Sequence, residues 1–432
     1  MKNARLAALL VSGGLCTASS ALAQSPAAGG AAPPAAVASP PAPATPAAEE
    51  DKLFRIYGIF TPRIVVSDRA VDTFNQPNAS AITMAGGPVL SVAPDRPRYT
   101  LQVAQSRIGV WIHEKGPVRG QLEVDFIDFT KSTPTVASLP RLRIARVDYT
   151  FSPGHTLALG QDWDLHAPLN AHGINLVGTL FQAGNTGFMR QQFKYLYSGS
   201  SFDLGAAVGF PAANITAREA ALEIAALPTL AVRGAYKFGK SRVGVSAIAT
   251  RLTYNLGASD ERVGTSLGAV LFSELLPTAS TQVRLELNYG QNTANLGLLS
   301  LAQGNATRDL HEVGGFLSVR QLLAEQHAVY GMVGYQKVLE GHAVVPAYSY
   351  PGTSSPDSPP PFTSAVLAGT GPGALHNGAA RLGYEFKPLG SLAFMVEGFY
   401  YRTRFALQAV DVARANPVSS ALGIEAGALF TF

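Results

Sequence analysis

The chain has 432 residues and a formal net charge of +4, and only 14% of its residues are charged. So small a positive excess argues against a nucleic-acid-binding protein. The 43 glycines, 21 phenylalanines and 15 tyrosines favour pleated strands with aromatic borders, whereas a helical enzyme of this length would contain more Glu and Lys.

The amino-terminal segment has the three parts of a secretory signal. Lys2 and Arg5 supply a positive start, residues 6–15 an apolar stretch, and residues 21–23 (Ala-Leu-Ala) a small-residue cleavage site. The apolar stretch is well short of the roughly 20 residues that a spanning helix requires. Residues 1–23 are therefore predicted to be a cleaved signal peptide.

The composition changes twice after the predicted signal. Residues 24–52 are mostly Ala, Pro, Ser and Gly, which predicts a linker without a folded core. Residues 53–432 contain no internal boundary and are predicted to form one domain. The only cysteine, Cys16, belongs to the predicted signal, so the mature chain can form neither disulfides nor thiolate metal sites.

Within the domain, apolar and polar residues alternate with a period of two. In residues 118–126 the even positions are apolar or small, while Arg119, Gln121, Glu123 and Asp125 are polar. Since no stretch is apolar enough for a helical span, a membrane-inserted form must be a closed barrel. The same pattern recurs in four further segments, 202–210, 229–238, 281–291 and 378–386.

Weaker strand candidates bring the predicted total to about sixteen. They are 53–66, 99–113, 141–151, 155–164, 188–197, 242–253, 262–274, 311–321, 327–337, 392–404 and 418–432. The alternation in 141–151 changes parity near Ala145, which predicts a β-bulge. The last strand runs to a terminal Phe432 and resembles the insertion signal of outer-membrane barrels.

Connections between the predicted strands alternate in length, as expected for a barrel with short periplasmic turns and long outer loops. The short ones include 151–154, 239–241 and 387–390, and the long ones 67–98, 211–228 and 338–374. Aromatic residues near strand ends are predicted to form the girdles at the membrane surfaces. They are Tyr195, Tyr197, Tyr236, Phe238 and the run 399–401.

One region resembles a known family. Leu142-Arg143 to Arg146, then Leu157 to Leu159, Gly160-Gln161-Asp162-Trp163, a long loop and Gly187-Phe188-Met189-Arg190-Gln191 to Tyr195 are similar to trimeric outer-membrane porins of the DcaP-like group. The resemblance is firm over about residues 99–200 and architectural elsewhere. It implies a homotrimer, and a constriction loop over residues 164–187 that folds into the lumen.

The predicted fold is therefore all-β: a transmembrane antiparallel barrel of about sixteen strands with a constriction loop inside. A barrel of this width holds a water-filled lumen. Its predicted pore-lining residues are Arg119, Glu123, Asp125, Arg141, Arg143, Arg146, Asp162, Arg190, Lys194, Arg233, Arg284 and Arg381. The polar residues of the constriction loop are His166, Asn170, His172 and Asn175.

Two readings of the arginines remain open. Rings of arginine concentrate anions and offer fork-shaped donors to carboxylates, which predicts a mild preference for anions such as small organic acids. Alternatively, the arginines pair with lumen carboxylates and hold the inserted loop, which leaves selectivity weak.

Two other chemistries have weaker support. His166 and His172 could bind a metal or sense pH, but no third ligand stands at metal-site spacing, and ordinary hydrogen bonding is favoured. Asp162 and Asp164 could form an acid/base pair, although solvation or pairing with nearby arginines is favoured.

The sequence favours an outer-membrane porin that passes small hydrophilic solutes by diffusion and uses no cofactor. Its partners would be outer-membrane lipid and further copies of the chain, with no nucleic acid. The alternatives are an outer-membrane barrel enzyme and an adhesin or structural barrel. The enzyme is disfavoured because no nucleophile or acid cluster shows compelling spacing.

Overall fold

The computed structural model describes residues 53–69, 71, 97–126, 140–166, 168–176, 179–187, 189–210, 227–254, 257, 259, 261–304, 308–344, 374–406 and 418–432. The predicted signal peptide 1–23 and the predicted linker 24–52 lie outside the described residues.

Period-2 segments form strands throughout the described chain. The strands are β1 (Phe54–Phe60), β2 (Arg63–Ser67), β3 (Arg98–Gln102), β4 (Arg107–Ile112), β5 (Val118–Asp125), β6 (Arg141–Ser152), β7 (His155–Trp163), β8 (Met189–Ser198), β9 (Phe202–Gly209), β10 (Thr229–Phe238), β11 (Ser241–Tyr254), β12 (Arg262–Leu275), β13 (Thr281–Gln291), β14 (His311–Ala324), β15 (His327–Val338), β16 (Ala374–Leu389), β17 (Leu392–Phe405) and β18 (Val418–Thr431). Short 3-10 turns lie at Thr293–Leu296 and Gly341–Ala343.

The eighteen strand segments close into an antiparallel barrel of sixteen strands, as predicted, because β1 with β2 and β3 with β4 each count as one interrupted barrel strand. The first of these interrupted strands continues from β1 to β2 across Thr61-Pro62, and the second continues from β3 to β4 across residues 103–106. Pro62 has no N–H to donate to a ladder, although its carbonyl accepts a bond from Ala428. The segments 53–66 and 99–113, predicted as continuous strands, are therefore each broken in the middle.

The connections define two ends of the barrel. Seven short turns, each joining two neighbouring strands, lie at one end together with the carboxyl terminus, and we call this the turn end. The strand ends that the eight longer connections join are at the other end, which we call the loop end. This strict alternation of short and long connections was predicted from the sequence.

The two faces of the wall follow the alternation. On β10 the side chains of Leu230 and Val232 are exposed, while Ala231 and Ala235 are buried. The apolar face therefore points outward to lipid and the other face points to the lumen. The predicted bulge in β6 is confirmed, since Arg143 is an extra residue between the pairs Glu123 with Ile144 and Val124 with Leu142.

One part of the girdle prediction is wrong. Tyr236 and Phe238 are exposed on the outer wall, as expected, but Phe399 and Tyr401 are almost completely buried. On β17 the odd positions point into the lumen, so only Tyr400 of the run 399–401 faces outward.

Among the described residues, no helix has the length and apolar character needed to cross a membrane.

Gly58 lies where the first and last strands meet to close the barrel, and we expect a larger side chain there to destabilise the fold. Gly58 and Phe432 exchange backbone hydrogen bonds of 3.0 and 3.2 Å, and a Cβ on Gly58 would overlap the Phe432 ring and lie 2.8 Å from the carbonyl oxygen of Arg107. Gly58→Val is therefore expected to destabilise the barrel by about 1–3 kcal/mol or more through overpacking. Heat-modifiable migration on gels measures the effect.

Gly398→Val is the matched control for this substitution, because a Cβ on Gly398 meets nothing within 4 Å. Equal heat resistance of the two variants would contradict this expectation for Gly58.

Candidate pore and constriction loop

The described residues of the segment 164–187 lie inside the barrel, as the predicted constriction loop. Its outgoing arm donates backbone N–H groups to side chains of the wall, each at a different strand. The bonds are Leu169 to Glu286 of β13 (2.9 Å), His172 to Ser318 of β14 (3.0 Å), Ile174 to Glu397 of β17 (3.3 Å) and Leu176 to Gln105 between β3 and β4 (2.8 Å). The loop thus leaves β7 and reaches the far side of the lumen.

The returning arm packs tightly against β13 to β15. Leu180, Phe181 and Ala183 are fully buried, and Asn288 donates a side-chain bond of 2.8 Å to the carbonyl of Gly184. A Cβ on Gly184 would overlap the carbonyl of Gly315. The loop is consequently held by close backbone approach as well as by hydrogen bonds.

A second inserted segment, residues 292–304, was not predicted. Leu296, Leu298 and Leu301 are at most 1% exposed. Leu296 and Leu298 pack in one buried apolar cluster with Leu165 of the constriction loop. The apolar run Leu296 to Ala302 is the sequence signal that an external loop would not be expected to carry.

Four fully buried charged side chains of the barrel wall form a cluster next to the constriction loop. Arg63 pairs with Glu425, and Arg381 lies 2.7 Å from Glu397 and 3.4 Å from Glu425. The two arginines balance the two glutamates, and Glu397 also accepts the N–H of Ile174. A balanced buried group of this kind fixes geometry rather than attracting ions.

Seven of the predicted pore-lining residues are buried rather than exposed to lumen water. Glu123, Asp125, Arg143, Asp162 and Lys194 lie within ion pairs of the wall that are described below, and the other two are Arg190 and Arg381. Arg381 is fully buried in the cluster of four charges. Arg190 is covered as well, because its guanidinium bonds Asp164 (2.7 Å) and the carbonyl of Leu296 (2.7 Å), both in inserted segments. Neither guanidinium faces lumen water, since the inserted segments cover that part of the wall.

The wall from β4 to β8 carries two chains of alternating charge. The first runs Arg119, Asp148, Arg146, Asp162, Lys194, with outer contacts of 3.1 Å (Arg119 to Asp148) and 2.5 Å (Asp162 to Lys194). The second runs Arg107, Glu123, Arg143, Asp125, Arg141, with a contact of 2.5 Å between Asp125 and Arg141. We call these two chains the charge ladders.

Each ladder has three cations and two carboxylates, which leaves one positive charge apiece. The carboxylates are almost fully buried, whereas the side chains of Arg119, Arg141 and Arg146 are 36%, 21% and 20% exposed. Water in the lumen therefore meets mainly guanidinium groups on this wall.

The remaining predicted lining residues lie on the other side. Arg284 is 2.9 Å from Glu274 and also donates to the carbonyl of Asn170 in the constriction loop. Arg233 faces the lumen from β10, half-buried, and makes no ion pair with any residue that the structure describes. Arg233 therefore adds a positive charge to those of the ladders.

Of the four predicted polar residues of the constriction loop, His172 and Asn175 bond the wall through their side chains, His166 packs against it, and Asn170 has an exposed side chain. Both ring nitrogens of His172 are bonded, to Ser318 and Gln282 at 2.8 Å each. Asn175 accepts a bond of 2.8 Å from Gln105, and His166 is buried against β12 at Gly268.

The part of the chain that the structure describes brings together neither a metal site nor an acid/base pair. Within the described ranges, no three His, Cys, Asp or Glu residues are grouped to hold a metal ion. Asp162 pairs with Arg146 and Lys194, and Asp164 with Arg190, so the two carboxylates are held by separate cations.

Acidification is expected to loosen the constriction loop. Burial lowers the pKa of both His166 and His172 to about 4 from the ordinary value of 6.5. Between these values a released loop binds protons that the docked loop excludes, so docking is at full strength above pH 6.5 and weakens as the pH falls toward 4. Each histidine contributes at most about 1.4 kcal/mol per pH unit.

The measurement is the temperature of the gel-mobility transition at pH 7 and at pH 4.5. His172→Gln should show a smaller difference between the two than the unaltered chain. An identical pH dependence in the variant would contradict this role.

Comparison with solved structures agrees with this geometry. The outer membrane channel DcaP of Acinetobacter baumannii superposes with a TM-score of 0.60 at 12% identity, over 88% of this chain and 97% of that one. The chain has the fold of an outer-membrane porin. An anion-selective porin from Comamonas acidovorans gives a TM-score of 0.54 at 11% identity, over 88% and 99% of the two chains.

A trimer form of OmpT, an outer membrane protein of Vibrio cholerae, gives a TM-score of 0.50 at 13% identity, over 88% and 99% of the chains. No protein-family profile and no curated protein sequence matches this chain. The porin fold predicted from the resemblance is confirmed, and at this level of identity the comparison concerns the fold alone.

Proposed function

We propose that the protein is a passive outer-membrane porin for small hydrophilic solutes, with a mild preference for anions and small organic acids. The charge ladders are the observation that carries the proposal. They line one wall with partly exposed guanidinium groups and a net charge of one positive unit each.

The position of the constriction loop supports this assignment. Its N–H groups bond β13, β14, β17 and the segment between β3 and β4, while the cations of the ladders pair with carboxylates of β5 to β7. Loop and ladders meet at Arg107, which donates a bond of 3.2 Å to the carbonyl of Leu176. A solute passing between loop and ladders would meet a positive wall, where carboxylates and phosphates find fork-shaped donors.

Two further parts of the proposal follow from the fold. The short turns would face the periplasm and the long connections the exterior, as in barrels of this type. We also propose a homotrimer, as in the trimer form of the Vibrio protein. The predicted signal peptide 1–23 and the linker 24–52 remain part of the proposal.

Liposome swelling tests the channel directly. Proteoliposomes are expected to swell in neutral sugars and faster in sodium salts of small organic acids than in matched organic cations. Swelling no faster than in protein-free liposomes would exclude the channel, and faster entry of cations would exclude the anion preference.

The enzyme and adhesin alternatives lack a supporting observation among the described residues. The acidic side chains that could serve in catalysis, Asp162 and Asp164, each pair with a neighbouring cation. A hydrolase assay against peptide and lipid ester substrates should therefore show no activity above background.

A further inference from the structure

A shallow groove runs along the outer wall from β14 to β18. It has a volume of about 540 Å³. Its floor is formed by small residues, Gly331, Ala380 and Gly398, and Leu382 stands beside it 71% exposed. A Cβ on Gly398 would meet nothing within 4 Å, so the groove is open at that point.

Basic side chains stand on the same strands toward the loop end. Lys337, His376 and Arg404 are directly paired across β15, β16 and β17, and Arg402 is two residues closer to the groove. Lys337, Arg402 and Arg404 are exposed on the outer face, with no ion pair to any residue that the structure describes. We call these four residues the basic row.

The groove and the basic row are close in height along the wall. Arg402 follows Tyr400, which lines the groove, by two residues on the same face of β17. Two residues of a strand span about 7 Å. The basic row therefore lies about 7 to 14 Å above the upper part of the groove.

A cluster of cations on the lipid face is stabilised by an anion near the membrane surface, because charges facing hydrocarbon are costly. Another copy of the chain offers none from its strands, since every Asp and Glu in the described strands faces the lumen. A lipid with a phosphorylated headgroup supplies both the anion and the acyl chains.

We propose that this wall binds a phosphorylated glycolipid of the outer leaflet, with its phosphate at the basic row and an acyl chain in the groove. The choice of leaflet rests on the proposed function, which places the loop end outside. Guanidinium groups of Arg402 and Arg404 would donate charge-assisted hydrogen bonds to phosphate oxygens.

The test is native mass spectrometry of the detergent-purified full chain titrated with diphosphoryl lipid A. Arg402→Glu combined with Arg404→Glu is expected to weaken binding by about tenfold or more. Gly398→Leu, which fills the groove and leaves the cations in place, is also expected to weaken it. Arg251→Glu, an exposed outward arginine on β11, is the matched control and should bind as the unaltered chain does.

Two further titrations identify the source of the anion. Monophosphoryl lipid A should bind more weakly, and inorganic phosphate should compete poorly, because it leaves the groove empty. If Arg402→Glu with Arg404→Glu misfolds by gel mobility, Arg402→Ala with Arg404→Ala replaces it.

Equal lipid binding by all variants would overturn the proposal, as would no lipid binding by the unaltered chain. Oligomers lost in Gly398→Leu with lipid binding unchanged would assign the groove to a subunit contact instead. Swelling rates of the same variants distinguish the proposed channel from the proposed lipid site. If the protein forms no channel, swelling is abolished while lipid binding is unchanged.

Discussion

Gly334→Leu is expected to release the constriction loop and raise single-channel conductance, with larger current fluctuations. A Cβ on Gly334 would overlap the carbonyl of Ala183 and lie 3.2 Å from the side chain of Leu180, both in the returning arm of the loop. An overpacking cost of about 1–3 kcal/mol lowers the docked population about 5- to 150-fold relative to the released one. Planar-bilayer recordings measure this change.

Gly331→Leu is the matched control on the same strand. Gly331 points outward, and its added Cβ would lie at ordinary contact distances of 3.7 and 3.8 Å from its neighbours. Its conductance should equal that of the unaltered chain. If Gly334→Leu conducts like this control, the loop does not restrict the pore.

Arg119→Gln combined with Arg141→Gln is expected to reduce the anion preference strongly, with Arg233 left as a remaining lumen cation. The double substitution removes the excess charge of each ladder, while Asp148 keeps Arg146 and Asp125 keeps Arg143. One unit charge about 7 Å from a permeant ion in water contributes about 0.6 kcal/mol, which corresponds to about threefold in ion occupancy per charge. The reversal potential in a salt gradient measures the preference.

The effect should be largest at low ionic strength, because salt screens exposed charges. Arg251→Gln removes an outward charge and should leave the reversal potential unchanged. An unchanged anion preference in the double variant would show that the ladders are structural pairs without influence on selectivity.

Local alternation explains why the strands could be predicted closely. Residues 229–238 and 281–291 were predicted as strands and form β10 and β13 with the same bounds. The bulge in β6 also followed from local pattern, because a parity change within one strand requires an extra residue. These features depend on neighbours along the chain.

Which of the predicted arginines contact lumen water could not be predicted in the same way. Arg190 and Arg381 occupy inward positions of their strands, as do Arg119 and Arg141. Inserted segments cover the first two and leave the other two in water. An inward position therefore predicts the face of the wall but not contact with the lumen.

The order of residues was enough to specify where most strands lie and where connections are short or long, although not the breaks at Thr61-Pro62 and 103–106 or the inward side chains of Phe399 and Tyr401. Closure of the barrel decided the rest. Arg63 and Glu425 are 362 positions apart and meet only because the first strand of the barrel pairs with the last. The path of the constriction loop depends on such distant partners, since its N–H groups bond side chains of Gln105, Glu286, Ser318 and Glu397, which a periodic pattern cannot bring together.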